Sequence, residues 1–100
     1  VYIDDVVDAL VAAITAREVN RLTINVGSGV ETSVNDLVRG VEKVTGRRAH
    51  VVNNPGESGG VSRLCADISL AWERLGYSPA VALEEGLVRV REHYLGSGRL

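Results

Sequence analysis

The stretch LTINVGSGVETSVNDL, Leu22 to Leu37, constrains this chain more than any other. Leu22, Ile24 and Val26 alternate with Thr23 and Asn25, a period of two that lines one face of a strand with apolar side chains. Gly27 and Gly29 break the run. Ser33 and Asp36 then stand at the spacing of a capping box that opens a helix. A strand with one buried face that turns tightly into an amphipathic helix is a unit of layered α/β domains.

The rest of the chain is punctuated in the same way. Val6, Leu10 and Ala13, with Val7, Val11 and Ile14 beside them, repeat at helical spacing to about Ala16. Asp5 and Asp8 resemble a capping box at the start of that helix. VYID reads as the end of a strand, and a chain opening inside a strand is expected to have lost a first half. REVNR makes a loop. Val34, Leu37, Val38, Val41 and Val44 mark a second helix from about Val34 to Thr45, stopped by Gly46. Ala49 to Asn53 reads as a short strand, Asn54 to Gly60 as a turn, and VSRLCAD as an extended piece. Asp67 or Ser69 caps a brief helix carrying Ile68, Ala71, Trp72 and Leu75, ended by Gly76. A last helix starts near Leu83, with Glu84 and Glu85 early and Arg89 and Arg91 late, as the helix dipole favours. Leu83, Leu87, Val90 and Tyr94 line its apolar side. The pattern predicts an α/β fold of about four helices with three to four short strands.

One hundred residues fit a single small domain. The net charge is -2, and the eleven Lys and Arg residues are scattered, which excludes the basic patch of a nucleic-acid footprint. No apolar run approaches the ~20 residues of a membrane span. Cys65 is the single cysteine, so no internal disulfide forms, and a reducing, cytoplasmic setting is expected.

Candidate chemistry is sparse. A dinucleotide fingerprint needs a third glycine and an acid ~20 residues on. Thr32 stands where that glycine belongs, and the following strand ends in Asn53 and Asn54, so Gly27 and Gly29 read as turn residues. His50 and His93 have no metal-ligand partner at helical spacing, and no metal site is expected. Cys65, in a short apolar strand, is expected to pack internally. Asp4, Asp5 and Asp8 read as helix-capping acids without complementary metal ligands. Trp72 and Tyr77 flank Gly76 and are expected to pack in the core, with an exposed platform the alternative. Arg63 follows the glycine-rich turn and precedes a buried-looking strand, a place where an anion could dock. A solvated surface arginine is the commoner outcome for such a position. Taken alone, these residues make no complete catalytic set.

Four segments occur in a telling order: VYIDDVVDALVAAI, TINVGSGVETSVNDLVRGVEKVTG, GGVSRLCADISLAWERLGYSP and ALEEGLVRVREHY. Together they resemble the C-terminal portion of NAD-dependent epimerase/dehydratases, the extended short-chain dehydrogenase/reductases that act on nucleotide sugars. The resemblance runs from Val1 to about Tyr94. It implies a Rossmann-type parent enzyme in which residues 1–95 form the nucleotide-sugar-binding region and 96–100 a flexible tail. In that family a Tyr-x-x-x-Lys pair performs the redox step and an N-terminal glycine fingerprint holds NAD. Here Val6, Val81 and Gly98 follow four residues after Tyr2, Tyr77 and Tyr94. The resemblance therefore implies no catalytic residue and no bound cofactor in this chain, with both supplied by an N-terminal Rossmann domain upstream.

Relatives often carry Arg-Pro-Gly-Asp in the loop before the final strand, where the Arg and Asp contact the nucleotide. Glu57, Ser58, Gly59 and Gly60 stand there in this chain, so both contact residues are missing. Arg63 matches an arginine often found just after that loop and is the one substrate-binding candidate. The implied partners are a nucleotide sugar, the Rossmann domain packing against VYIDDVVDAL and TINVGSG, and a second copy in a homodimer. Without that domain the chain is expected to be marginally stable or to self-associate through exposed apolar faces. The competing reading is a free-standing, non-catalytic binding or assembly module that reuses the fold.

Overall fold

The computed structural model describes residues 1–52 and 65–96. Four helices follow one another: α1 (Ile3–Thr15), α2 (Val34–Thr45), α3 (Ser69–Leu75) and α4 (Leu83–Gly96). They pack as two pairs, α1 with α3 and α2 with α4. The helices match the periodicity of the sequence, and the physics of their ends explains where they start and stop. The Ser33 hydroxyl accepts from the Asp36 amide at 3.0 Å, as the capping box requires, and Asp36 also holds Arg39. That arginine first, and the Ser33 hydroxyl second, keep the Asp36 carboxyl below its ordinary value. Gly46 and Gly76 end α2 and α3 in the left-handed conformation, at φ 68° and 65°.

Three expectations at the helix starts are corrected. VYID is not the end of a strand: the Tyr2 carbonyl takes the amides of Asp5 and Val6 at 3.1 and 3.4 Å, so the helix begins at Ile3. Asp5 is not a cap residue, because it lies inside α1 and turns its carboxylate to another part of the chain. Neither Asp67 nor Ser69 caps α3. Ile68 holds the N-cap position without a side-chain bond, and Asp67 accepts instead from the amide and hydroxyl of Ser69 at 3.0 and 2.6 Å.

The expected three to four strands are also corrected: no strand occurs among the described residues. Leu22–Val26 and Ala49–Val52 have no ladder, since a strand exists only when a neighbour supplies its hydrogen bonds, however well its side chains alternate. The alternation still governs burial. Ile24 and Val26 pack against the core formed by Ala9, Ala71 and Tyr77, joined by Ile68 and Leu75. In 65–68 the same parity half-buries Ala66 and Ile68 and leaves Cys65 and Asp67 outside. Cys65 is therefore exposed, against the expectation of a packed thiol. Tyr77 is core and Trp72 is not, standing 62% exposed on α3. Asn53, the turn Asn54–Gly60, Val61–Leu64 with Arg63, and the last four residues of the tail lie outside the described residues.

Asp5 ties the pieces together. Its side chain is 2% exposed, and its two carboxylate oxygens accept from the amides of Ala80 and Val81 at 3.0 and 3.1 Å. A charged acceptor inside the protein requires such donors, and each bond to it is worth more than a neutral one. The pair of bonds fixes the loop before α4 onto α1. Replacing Asp5 by Asn turns one acceptor into a donor facing an amide. Stability to urea is expected to fall by about 2 kcal/mol, read from the unfolding midpoint at unchanged slope.

Candidate functional site

With the loop before α4 held on Asp5, the N-terminal end of α1 meets the segment 28–34 and the first turns of α4 around a cleft of about 420 Å³. Tyr2, Val30, Leu37, Leu83, Leu87 and Val90 are among the residues of its wall. Gly86, buried in the first turns of α4, lets the Tyr2 ring lie close: a Cβ there would stand 3.1 Å from the ring's Cδ1. On that ring sits the Arg89 guanidinium, 5.4 Å from the centroid, which also reaches Glu85 at 2.6 Å and Asp4 at 3.3 Å. The hydrogen bond and charge of Glu85 are the first causes holding that guanidinium above its ordinary value.

Besides Tyr2, the hydroxyl-bearing residues Ser28, Thr32 and Ser33 line the cleft. Ser28 is engaged with the amide and carbonyl of Val30, both at 3.2 Å, and Ser33 caps α2. Among the described residues that line the cleft there is no acidic or basic side chain. The described lining can therefore enclose an apolar or flat group with a few hydroxyl contacts.

The Gly27–Gly29 turn is closed to a dinucleotide. Gly27 is buried, and a Cβ there would come 2.8 Å from the Ala66 Cβ. The Gly27 carbonyl accepts from the Tyr77 hydroxyl at 2.6 Å, across fifty residues of chain. Gly29, at φ 70°, lies against Ile68. These glycines admit a neighbouring stretch of the same chain, which is the close-approach use of glycine and not the phosphate-cradling one. The residues of this chain do not fit NAD at that turn.

The other sequence candidates disperse. His50 is exposed, and His93 on α4 meets the neighbouring Tyr94 ring edge-on at 5.9 Å. Asp4 holds Arg89, Asp8 is exposed, and Asp5 is structural. Among the described residues no group of His, Cys, Asp and Glu could hold a metal ion. Arg63 and the loop positions Glu57 to Gly60 lie outside the described residues. Residue-by-residue reasoning missed Tyr2, although Gly86 inside an otherwise helical run is a signal of close backbone approach. It also missed Arg91, whose guanidinium donates to the Val44 carbonyl at 2.7 Å and closes the end of α2.

Comparison with known proteins accounts for this arrangement. No family model matches the chain. A UDP-glucose 4-epimerase of Mycolicibacterium smegmatis is 36% identical over 94 residues, which are 94% of this chain and 30% of that protein. A dTDP-L-rhamnose 4-epimerase of Burkholderia thailandensis is 38% identical over 88 residues, 87% of this chain and 24% of its own. Among solved structures, a variant of the UDP-glucuronic acid 4-epimerase of Bacillus cereus, in complex with UDP-4-deoxy-4-fluoro-glucuronic acid and NAD, superposes with a TM-score of 0.76. It is 32% identical, and the match covers 96% of this chain and 31% of that one. In sequence and fold the chain corresponds to the C-terminal portion of extended short-chain dehydrogenase/reductases of the nucleotide-sugar epimerase type. It spans about 30% of the length of such relatives. No helix among the described residues is long and apolar enough to cross a membrane.

The Tyr77–Gly27 bond makes a pH prediction. Burial first, and the charge of Asp5 second, hold the Tyr77 phenol above its ordinary value of 10.0. A phenol raised by folding binds its proton more tightly in the folded state. Its contribution to stability is complete below pH 10 and is lost as pH rises through the folded value. Urea midpoints measured from pH 8 upward are expected to drop above pH 10. In Tyr77→Phe the chain should be less stable at pH 8 and should lose much of that alkaline dependence.

Proposed function

We propose that this chain is the substrate-side, C-terminal part of an NAD-dependent nucleotide-sugar epimerase or dehydratase. The observation that carries the reading is the superposition with the Bacillus cereus epimerase, at 32% identity over 96% of the chain. In such an enzyme NAD accepts and returns a hydride at the sugar. The glycine fingerprint and the Tyr-x-x-x-Lys pair for that chemistry belong to a Rossmann-type part that the present residues do not contain. The role left to this chain is to wall the nucleotide-sugar side. Arg63 is the residue proposed to meet the substrate's phosphates, since it matches an arginine often found after the nucleotide-contacting loop of the family. Residues 1–95 form this region, and the working location is the cytoplasm.

The Rossmann-type part is also the partner that the apolar segments of the chain call for. Leu22–Val26 has the alternation of a strand and lacks a ladder, which a neighbouring sheet would supply. The second reading, a free-standing binding or assembly module, is favoured by the Gly27 turn and the apolar cleft, both of which are built without catalytic groups.

The coding sequence upstream of Val1 separates the two. An in-frame Gly-x-x-Gly-x-x-Gly and Tyr-x-x-x-Lys support the enzyme, and a start codon at that point supports the module. The 100-residue chain alone is expected to show no NAD-dependent turnover of UDP-glucose, and any turnover overturns the assignment of roles. Calorimetric titration with UDP tests Arg63. Binding that weakens about tenfold or more in Arg63→Ala, the loss of one charge-assisted contact, supports its role. The absence of heat with both chains removes Arg63 from the site.

A further inference from the structure

The end of α2 gathers positive charge that the fold does not neutralise. Gly46 turns the chain at φ 68°, and the Arg47 amide then donates to the Thr45 hydroxyl at 3.3 Å. The Ala49 amide donates to Glu42 Oε2 at 2.9 Å, which bends residues 46–49 back beside the last turn of the helix. In an extended chain successive side chains point to opposite sides. Here Arg47 and Arg48 line the same hollow of about 470 Å³, together with Glu42, Lys43 and Gly46.

The negative end of a helix ordinarily engages nearby cations through its last carbonyls. In α2 several of those carbonyls are already served. Val41 accepts from the Thr45 hydroxyl at 2.7 Å, Glu42 from the Gly46 amide at 2.9 Å and Val44 from the Arg91 guanidinium at 2.7 Å. Lys43 pairs with Glu84 at 2.8 Å. Glu42, an acid on the wall, has one oxygen on the Ala49 amide. Arg39, Arg74 and Arg89 each hold an acid. Arg47 and Arg48 are exposed, and among the described residues neither forms an ion pair.

We propose that this hollow binds a compact, multiply charged oxyanion of the phosphate class, with a diphosphate as its smallest full ligand. Two guanidinium forks on one concavity each take a phosphoryl group through paired N–H donors, a geometry that a lysine ammonium does not reproduce. A long polyanion finds no continuation along the chain, because Arg39, Arg74 and Arg89 are already held by acids.

The inference does not use Arg63 and stands whether or not the enzyme reading holds. It is tested with pyrophosphate on the 100-residue Arg63→Ala chain, which removes the other proposed phosphate contact. Amide NMR spectra are followed at low ionic strength held constant with chloride, since exposed charges are screened by salt. Saturable shifts are expected at the Gly46, Arg47 and Arg48 amides. Affinity should weaken about tenfold or more in Arg47→Gln/Arg48→Gln, the loss of charge-assisted contacts. It should change little in Arg17→Gln/Arg21→Gln, which removes the same charge from other exposed positions. Shifts that never saturate, or equal weakening in the two double variants, mean general screening and overturn the proposal. Saturable shifts confined to other residues overturn the location. Should Arg47→Gln/Arg48→Gln lose its helical circular dichroism, Arg47→Lys/Arg48→Lys decides, because it keeps the charge and loses the forks. Its affinity should fall several-fold, and an unchanged affinity overturns the paired-donor site.

Discussion

A single buried carboxylate holds this fold in register. Asp5 sits within α1, yet its two oxygens serve amides seventy-five and seventy-six residues further along, at Ala80 and Val81. A charge excluded from water is tolerated only where fixed donors replace the lost solvation. Because those donors belong to the loop before α4, the start of α4 is placed against the start of α1. The Tyr2–Gly86 contact, the Arg89–Asp4 pair and the cleft beside them all follow from that placement. The apolar core is small, with Ala9, Ala71 and Tyr77 at its centre and Ile24, Val26, Ile68 and Leu75 packed around them.

The second long-range tie, from the Tyr77 hydroxyl to the Gly27 carbonyl, settles how the glycine turn is used. Read as a string, NVGSG invites a phosphate. In three dimensions its backbone is occupied by Tyr77 and by the 66–68 segment, so the glycines serve contact within the chain. This agrees with a chain that corresponds to the C-terminal portion of nucleotide-sugar epimerases, whose solved relative from Bacillus cereus carries both NAD and a UDP-sugar analogue. Sequence similarity and fold reach the same place from different directions. The proposed division of labour puts redox chemistry in a Rossmann-type part and substrate walls here.

The helices were legible because their signals are local. Ser33 with Asp36 and the stops at Gly46 and Gly76 act within a turn or two of the chain, and the structure uses each as the spacing predicts. The candidate site was far less legible. Tyr2 belongs to the cleft only because Gly86 admits its ring, and Arg91 closes α2 only because α4 runs alongside. Cys65 and Trp72 were misplaced for a related reason. Short apolar stretches do not declare which of their faces will find a neighbour, and parity around Ala66 and Ile68 turned Cys65 outward.

By itself the sequence determined the four helices, the two glycine stops, the apolar alternation of Leu22 to Val26 and the order of segments that marks the epimerase kinship. These depend on backbone propensity and side-chain period, which act over a few residues. Only the tertiary structure decided that Asp5 is an anchor and not a cap, that the Gly27 turn is filled, and that the strand-like segments run without ladders. Each of these turns on which distant group supplies a hydrogen bond or fills a space. A donor seventy-five residues away leaves no trace in local spacing.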